Sequence, residues 1–175
     1  MALRLASPVT GNRRTTYIMS RGQRVAEAIE RSVSGPMWHG PALADLVADV
    51  TAQQASQRVI PDGHTIWELV LHVTAWTEIA RERLIGSANA DPTPEEDWPP
   101  VRDTSAEAWR ATIERLKEAH RELAADVAKL GDSDLIGRVP GKDHTVLTMV
   151  HGIIEHDAYH GGQISILKKG LGVST

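Results

Sequence analysis

Residues 151–171 read HGIIEHDAYHGGQISILKKGL, and the period of their apolar positions decides what kind of protein this is. Followed back to Val146, the segment places Val146, Val150, Ile153, Asp157, His160, Ile164 and Leu167 three or four residues apart. That is the period of one face of an α-helix and not the two-residue alternation of a strand. The spacing predicts a helix over about residues 145–169, ended by Gly170. Its inward face carries an acid and an imidazole among the aliphatics, so the buried side of this helix carries chemistry as well as packing.

Three more segments share the period. GQRVAEAIERSV predicts a helix over about 20–33 that stops at Ser34-Gly35-Pro36, where glycine and then proline cannot continue it. A helix over about 64–86 places Ile66, Leu69, Val73, Trp76 and Ala80 on one seam and ends at Gly86. A third, over about 104–130, opens with Thr104 and Glu107 at capping-box spacing. Its seam is Trp109, Ile113, Leu116, His120, Leu123, Val127 and Leu130. Between the long helices, WHGPALADLVADV reads as a short helical lid or connector with Pro41 in its first turn. SANADPTPEEDWPPV, with four prolines, reads as an irregular crossover rather than a helix. GDSDLIGRVPGKDHTV turns at Pro140-Gly141 and allows a short hairpin. Four long helices with extended crossovers and no sustained alternation predict an all-α four-helix bundle.

The whole chain, at 175 residues, suits one domain with a full core. We place that domain at 20–175. Residues 1–19 read as an N-terminal arm or as a start assigned upstream of Met19, because periodicity begins only near Ser20. With 19 Lys+Arg against 23 Asp+Glu, the formal net charge of −4 lacks the basic surplus that nucleic-acid binding requires. No apolar run approaches the ~20 residues of a membrane span, and cytoplasm is the default location. The chain has no cysteine. It can form neither a disulfide nor a thiolate metal site, and any metal must be held by His, Asp or Glu.

Eight histidines are present, and helical phase separates them. At about 100° per residue, His160 lies about 20° and His156 about 60° from Ile153 on the same side, whereas His151 lies about 160° away. On the 64–86 helix, His72 lies about 60° from Leu69, at the inward edge beside Val73 and Trp76. His120 sits in its seam with no partner ligand four residues either side and reads as a core histidine bonded to a neighbouring helix. His39, His64 and His144 occupy loops or helix starts and receive no role. Burying several imidazoles together disfavours their protonated forms, and a divalent ion removes the difficulty. Two histidines one helical turn apart can reach one ion at about 2.0–2.1 Å each. A third from a facing helix completes a three-histidine set with coordination positions left open, as catalytic sites require. Asp157, Glu155 and Gln163 lie beside the pair, where one of them can orient an imidazole or exchange protons. Asp157 can equally be a structural acceptor.

Three separated stretches, HGIIEHDAYHGGQISILKKGL, ELVLHVTAWTEIARERL and EEDWPPVRDTSAEAWRATI, resemble the DinB-like superfamily of four-helix-bundle metalloenzymes. The resemblance runs in order from about Trp38 to Leu171. It implies a divalent metal, zinc or nickel, on His72, His156 and His160. It also implies a small-molecule substrate, with thiol S-transfer from a low-molecular-weight thiol or hydrolysis as the chemistry, and it allows a homodimer. Two competing readings are a bundle that binds metal or a small molecule without turnover, and a metal-free bundle whose role is dimerisation.

Overall fold

In the computed structural model, which describes residues 19–87 and 90–173, four long helices carry the core. Of the expected N-terminal arm only Met19 falls within that range; residues 1–18 lie outside the described residues. The long helices are α1 (Arg21–Ser34), α4 (Ile66–Ile85), α6 (Ala106–Val127) and α8 (Val146–Gly170). Four short ones connect them: α2 (Leu43–Val47), α3 (Ala52–Ser56), α5 (Pro94–Asp97) and α7 (Asp132–Ile136). No strand occurs among the described residues, where only two isolated bridges form, Met37 with Gly40 and Arg138 with Thr145. The second closes the Pro140-Gly141 loop in which a hairpin was allowed, with Gly141 at φ 72°.

Each long helix starts on a side-chain cap that satisfies an otherwise orphaned amide. Ser20 accepts from the Gln23 amide, Thr65 from Glu68 and Thr145 from Thr148. The helices pack in a ring, α1 on α6, α6 on α4, α4 on α8 and α8 on α1, so that α1 lies diagonal to α4 and α6 diagonal to α8. α2 and α3 pack across the ends of these helices, as a lid or connector should. At the other end Gly22 lets α1 approach α6, since a Cβ there would fall 2.6 Å from the Leu130 carbonyl oxygen.

The core is divided along its length. One apolar cluster contains Leu46, Val47, Trp67, Val70, Leu116 and Ile164, and the other contains Ile29, Leu123, Val127, Val150 and Ile153. Between them lies a buried polar layer to which every long helix contributes. Asp157 Oδ2 on α8 accepts from Ser32 Oγ on α1 at 2.5 Å and lies 3.1 Å from His120 Nε2 on α6. That nitrogen is 3.4 Å from Thr77 Oγ1 on α4. His120 Nδ1 lies 2.8 Å from the Leu116 carbonyl of its own helix, and it is through Nε2 that the expected core histidine meets other helices, α8 at Asp157 and α4 at Thr77.

Several local expectations are corrected. The cap of α6 is Ser105, not Thr104: its backbone is extended and its Oγ accepts from the Ala108 amide at 3.1 Å, while Asp103 accepts from the Ser105 amide. Glu107 thus stands one position too early to close a capping box. Gly170 is the last residue of α8 rather than the residue that stops it: Leu171 is the cap, and Gly172 (φ 71°) turns the chain, with the Val173 and Gly172 amides returning to the Lys168 and Lys169 carbonyls. Pro41 precedes α2, and α3 and α7 were not anticipated. The crossover is not wholly irregular: Thr93 caps α5, Pro94 takes its first position, and Glu96 Oε2 accepts from the Thr93 amide at 2.7 Å.

The polar layer makes an energetic prediction. Asp157→Ala strips Ser32 and His120 of their buried partner and should lower the unfolding free energy by about 1–3 kcal/mol. In a urea-unfolding cycle, the His120→Ala, Asp157→Ala double variant should lose less than the sum of the single losses by about 1 kcal/mol or more. Simple additivity would show that the pair is not coupled.

Candidate metal centre

At the level of this polar layer, α4 and α8 turn three imidazoles toward one point. His72 Nε2 lies 3.0 Å from His156 Nε2, which lies 3.0 Å from His160 Nε2. Two nitrogens that bind one ion at ~2.0–2.1 Å can stand no more than ~4.2 Å apart, so both separations are compatible with a shared ion. His72 and His160 are buried, and His156 is partly so. These are the three residues that helical phase turned inward; His151 is exposed, as that phase requires.

The proton inventory is what makes the cluster a candidate site. His72 Nδ1–H donates to the Asp97 carbonyl at 2.7 Å, and His160 Nδ1–H donates to Gln163 Oε1 at 2.7 Å. Each bond fixes the tautomer and leaves the inward Nε2 with a lone pair. His156 then has two acceptor nitrogens at 3.0 Å and at most one N–H to offer, and its own Nδ1 is buried without a partner. Three inward nitrogens therefore share fewer protons than contacts, and a divalent ion would satisfy all three. Among the described residues they are the one group of three or more potential ligands within mutual reach, their ligand atoms all within 4.8 Å.

Electrostatics keep the cluster in its ligand form. Burial, reinforced by repulsion from His160 and His72, pushes the His156 imidazole down to about 4. Burial likewise lowers His72, partly offset by Asp97, and lowers His160, partly offset by Gln163. Neutral imidazoles near neutrality are what a metal requires.

The crossover completes the site. Trp98 stacks on His72 with ring centroids 3.8 Å apart and 7° between planes, and His64 stacks on its other side at 3.6 Å and 4°. Trp76 Nε1–H donates to Asp97 Oδ1 at 2.7 Å, tying down the residue whose carbonyl holds His72. Sequence reasoning gave His64 no role and missed Asp97 and Trp98. The usable signal was Thr-Pro-Glu-Glu, a capped first turn with proline at its first position. Of the candidates beside the histidine pair, Gln163 orients His160, Asp157 turns into the polar layer, and Glu155 is exposed. A cavity of about 480 Å³ opens against His72 and His156, walled by Trp76, Met149 and Ile153.

The family model described as DinB superfamily matches residues 38–164 of the 175, a span that holds all three histidines. No curated protein and no solved structure matches the chain significantly.

The depressed imidazoles carry a pH dependence. In the metal-free protein the unfolded chain binds more protons than the folded one between about 6.5, the ordinary histidine value, and about 4 for His156. Stability should therefore fall as pH is lowered through that window. Thermal unfolding of metal-free protein from pH 7 to pH 5 should show a declining Tm, with a shallower decline in His156→Leu. An equal decline in that variant would place the titration elsewhere.

Proposed function

Since the chain belongs to the DinB superfamily, we propose that it is a metal-dependent enzyme. In this reading His72, His156 and His160 hold one divalent ion, zinc or nickel, and a small molecule reacts in the cavity beside it. The observation that carries the reading is the proton shortage at the cluster: two Nδ1–H groups anchored outward, three Nε2 atoms facing one another. Bound there, the ion supplies Lewis acidity that lowers the pKa of a coordinated water or thiol.

The chain's own residues do the rest. The Asp97 carbonyl and Gln163 hold two ligand rings in the required tautomer. Trp98 covers one face of the His72 ring, and His64 backs Trp98. Asp97, the one carboxylate lining the cavity, is already committed to Trp76. With Asp97 so committed, His144 is the remaining titratable side chain of the lining besides the two ligand imidazoles and Arg83, and we take S-transfer from a metal-activated thiol as the leading reaction, with hydrolysis beside it. With no cysteine in the sequence, the thiol comes from outside, and a low-molecular-weight thiol is the leading partner. No described helix is long and apolar enough to cross a membrane. We take the partner to be a small molecule, not nucleic acid or membrane, the location to be the cytoplasm, and a homodimer to be compatible with the fold.

Purified protein should bind about one equivalent of zinc, nickel or cobalt by calorimetry and elemental analysis, and His156→Ala should fall below about a tenth of an equivalent. Binding that survives in His156→Ala, or none in the parent after metal addition, refutes the ligand assignment. Gln163→Ala should weaken affinity about 10–100-fold without abolishing it.

Catalysis is tested separately, by transfer of bacillithiol, mycothiol or glutathione to a panel of electrophiles alongside ester and amide hydrolysis. Thiol transfer that chelation removes and metal restores is the expected result. Metal binding with no turnover on any substrate would make the protein a binder instead.

A further inference from the structure

We infer that Arg83 makes the far wall of the histidine cavity a carboxylate subsite, so that the molecule processed there is an anion whose charge sits beyond Trp76. The inference rests on the reading of this cavity as the substrate's.

His72, Trp76, Ala80 and Arg83 are four, four and three residues apart on α4, hence on one helix face, and all four line the cavity. Arg83 is only 6% exposed, and a guanidinium so enclosed is costly unless its N–H groups find acceptors. Here they are poorly supplied. Nη2 reaches the Ala90 carbonyl at 3.2 Å and Asp91 Oδ1 at 3.3 Å. The same Asp91 oxygen is held more closely by Lys142, so one carboxylate, itself 85% exposed, serves two cations. Nε is buried without a partner, and Nη1 has no acceptor among the described residues. One positive charge is left over at this end of the cavity.

The position suits recognition. The guanidinium carbon lies 5.7 Å from the Trp76 ring centroid, and that ring is 6.3 Å from His156 and 6.5 Å from His72. One indole thus separates the cation from the reacting end, and the about 480 Å³ between them is of the size that takes a small organic molecule. Arg83 also borders a second groove of about 610 Å³, but there Arg102 and Arg115 are already paired with Glu95 and Glu78, and Glu82, Glu96, Asp91 and Asp103 leave an acidic surplus that repels an anion. The histidine cavity has a single lining carboxylate, Asp97, which stands at the opposite end from Arg83 in the sequence of α4 contacts, beside His72 and Trp76. Nη2 belongs to both two-donor edges of the guanidinium and is already engaged, so what Arg83 offers a carboxylate is its charge and the Nη1–H groups, a charge-assisted bond.

The test compares hexanoate with hexanamide, equal in length and differing in charge. Each is titrated into metal-free protein while the Arg83 Nε–H and Trp76 Nε1–H cross-peaks are followed by nitrogen-15 NMR. Hexanoate should shift both peaks saturably, hexanamide should bind about tenfold more weakly or less, and Arg83→Gln should erase the difference. Equal binding of the two probes, no saturable shift with hexanoate, or an undiminished preference in Arg83→Gln overturns the inference. The parent comparison decides the matter even if Arg83→Gln fails to fold. In that event Arg83→Lys, which keeps the charge on a shorter and differently shaped head, should retain a reduced preference. Because no metal is needed, failure to load metal counts against the proposed metal centre alone, whereas lost carboxylate preference in a protein that loads metal fully counts against this subsite alone.

Discussion

The bond between Asp157 and His120 is the constraint on which the rest of the bundle depends. α6 and α8 are diagonal and make no backbone approach, yet His120 Nε2 and Asp157 Oδ2 meet across the axis at 3.1 Å. Aliphatic contacts on either side are tolerant of sliding and rotation, because many rotations of an apolar face bury similar area. A hydrogen bond between fully enclosed groups is not, since a small rotation of α8 would leave both partners without water and without each other. Ser32 and Thr77 bring the remaining two helices to the same point. The layer therefore sets the axial register of four helices at once.

That register is inherited by the histidine cluster. His156 immediately precedes Asp157, and His160 follows it by three residues, so once Asp157 is turned toward α6 both imidazoles are committed to the side where α4 carries His72. Thr77 plays the corresponding part on α4, one residue beyond Trp76. The long helices place the three nitrogens, and the crossover then decides what those nitrogens can do. Without the Asp97 carbonyl, His72 would be free to carry its proton on the inward nitrogen, and its inward lone pair would be lost.

This division explains what could be read from sequence. Position on a helix is periodic, so the four long helices, the inward phase of His72, His156 and His160, and the outward phase of His151 followed from spacing alone. What the crossover contributes is aperiodic. The His72 acceptor is a backbone carbonyl, which every residue possesses, and nothing in the identity of Asp97 announces that use. Trp98 stacks on His72, and His64 on Trp98, across loops whose paths depend on four prolines and a one-turn helix. The Thr104 cap failed for a related reason: Thr104 and Ser105 are both good caps, and the choice fell to Asp103, whose side chain reaches the Ser105 amide and hydroxyl.

The groups this fold leaves unsatisfied are not scattered. Among the described residues, three buried side-chain atoms have no hydrogen-bond partner: His156 Nδ1, Asp157 Oδ1 and Arg83 Nε. One belongs to the imidazole at the middle of the cluster, one to the residue that sets its phase, and one to the cation at the far end of the same cavity. A bundle of this size has ample apolar surface with which to fill those positions, and aliphatic side chains there would remove the desolvation cost of each. His156 and Arg83 line the histidine cavity and Asp157 lines a separate one against α2, so the unmet polar capacity gathers at the cluster and its immediate surroundings. The same atoms in a bundle whose histidines were only core filler would be expected to pair among themselves, as His120 and Asp157 Oδ2 do one helical turn away.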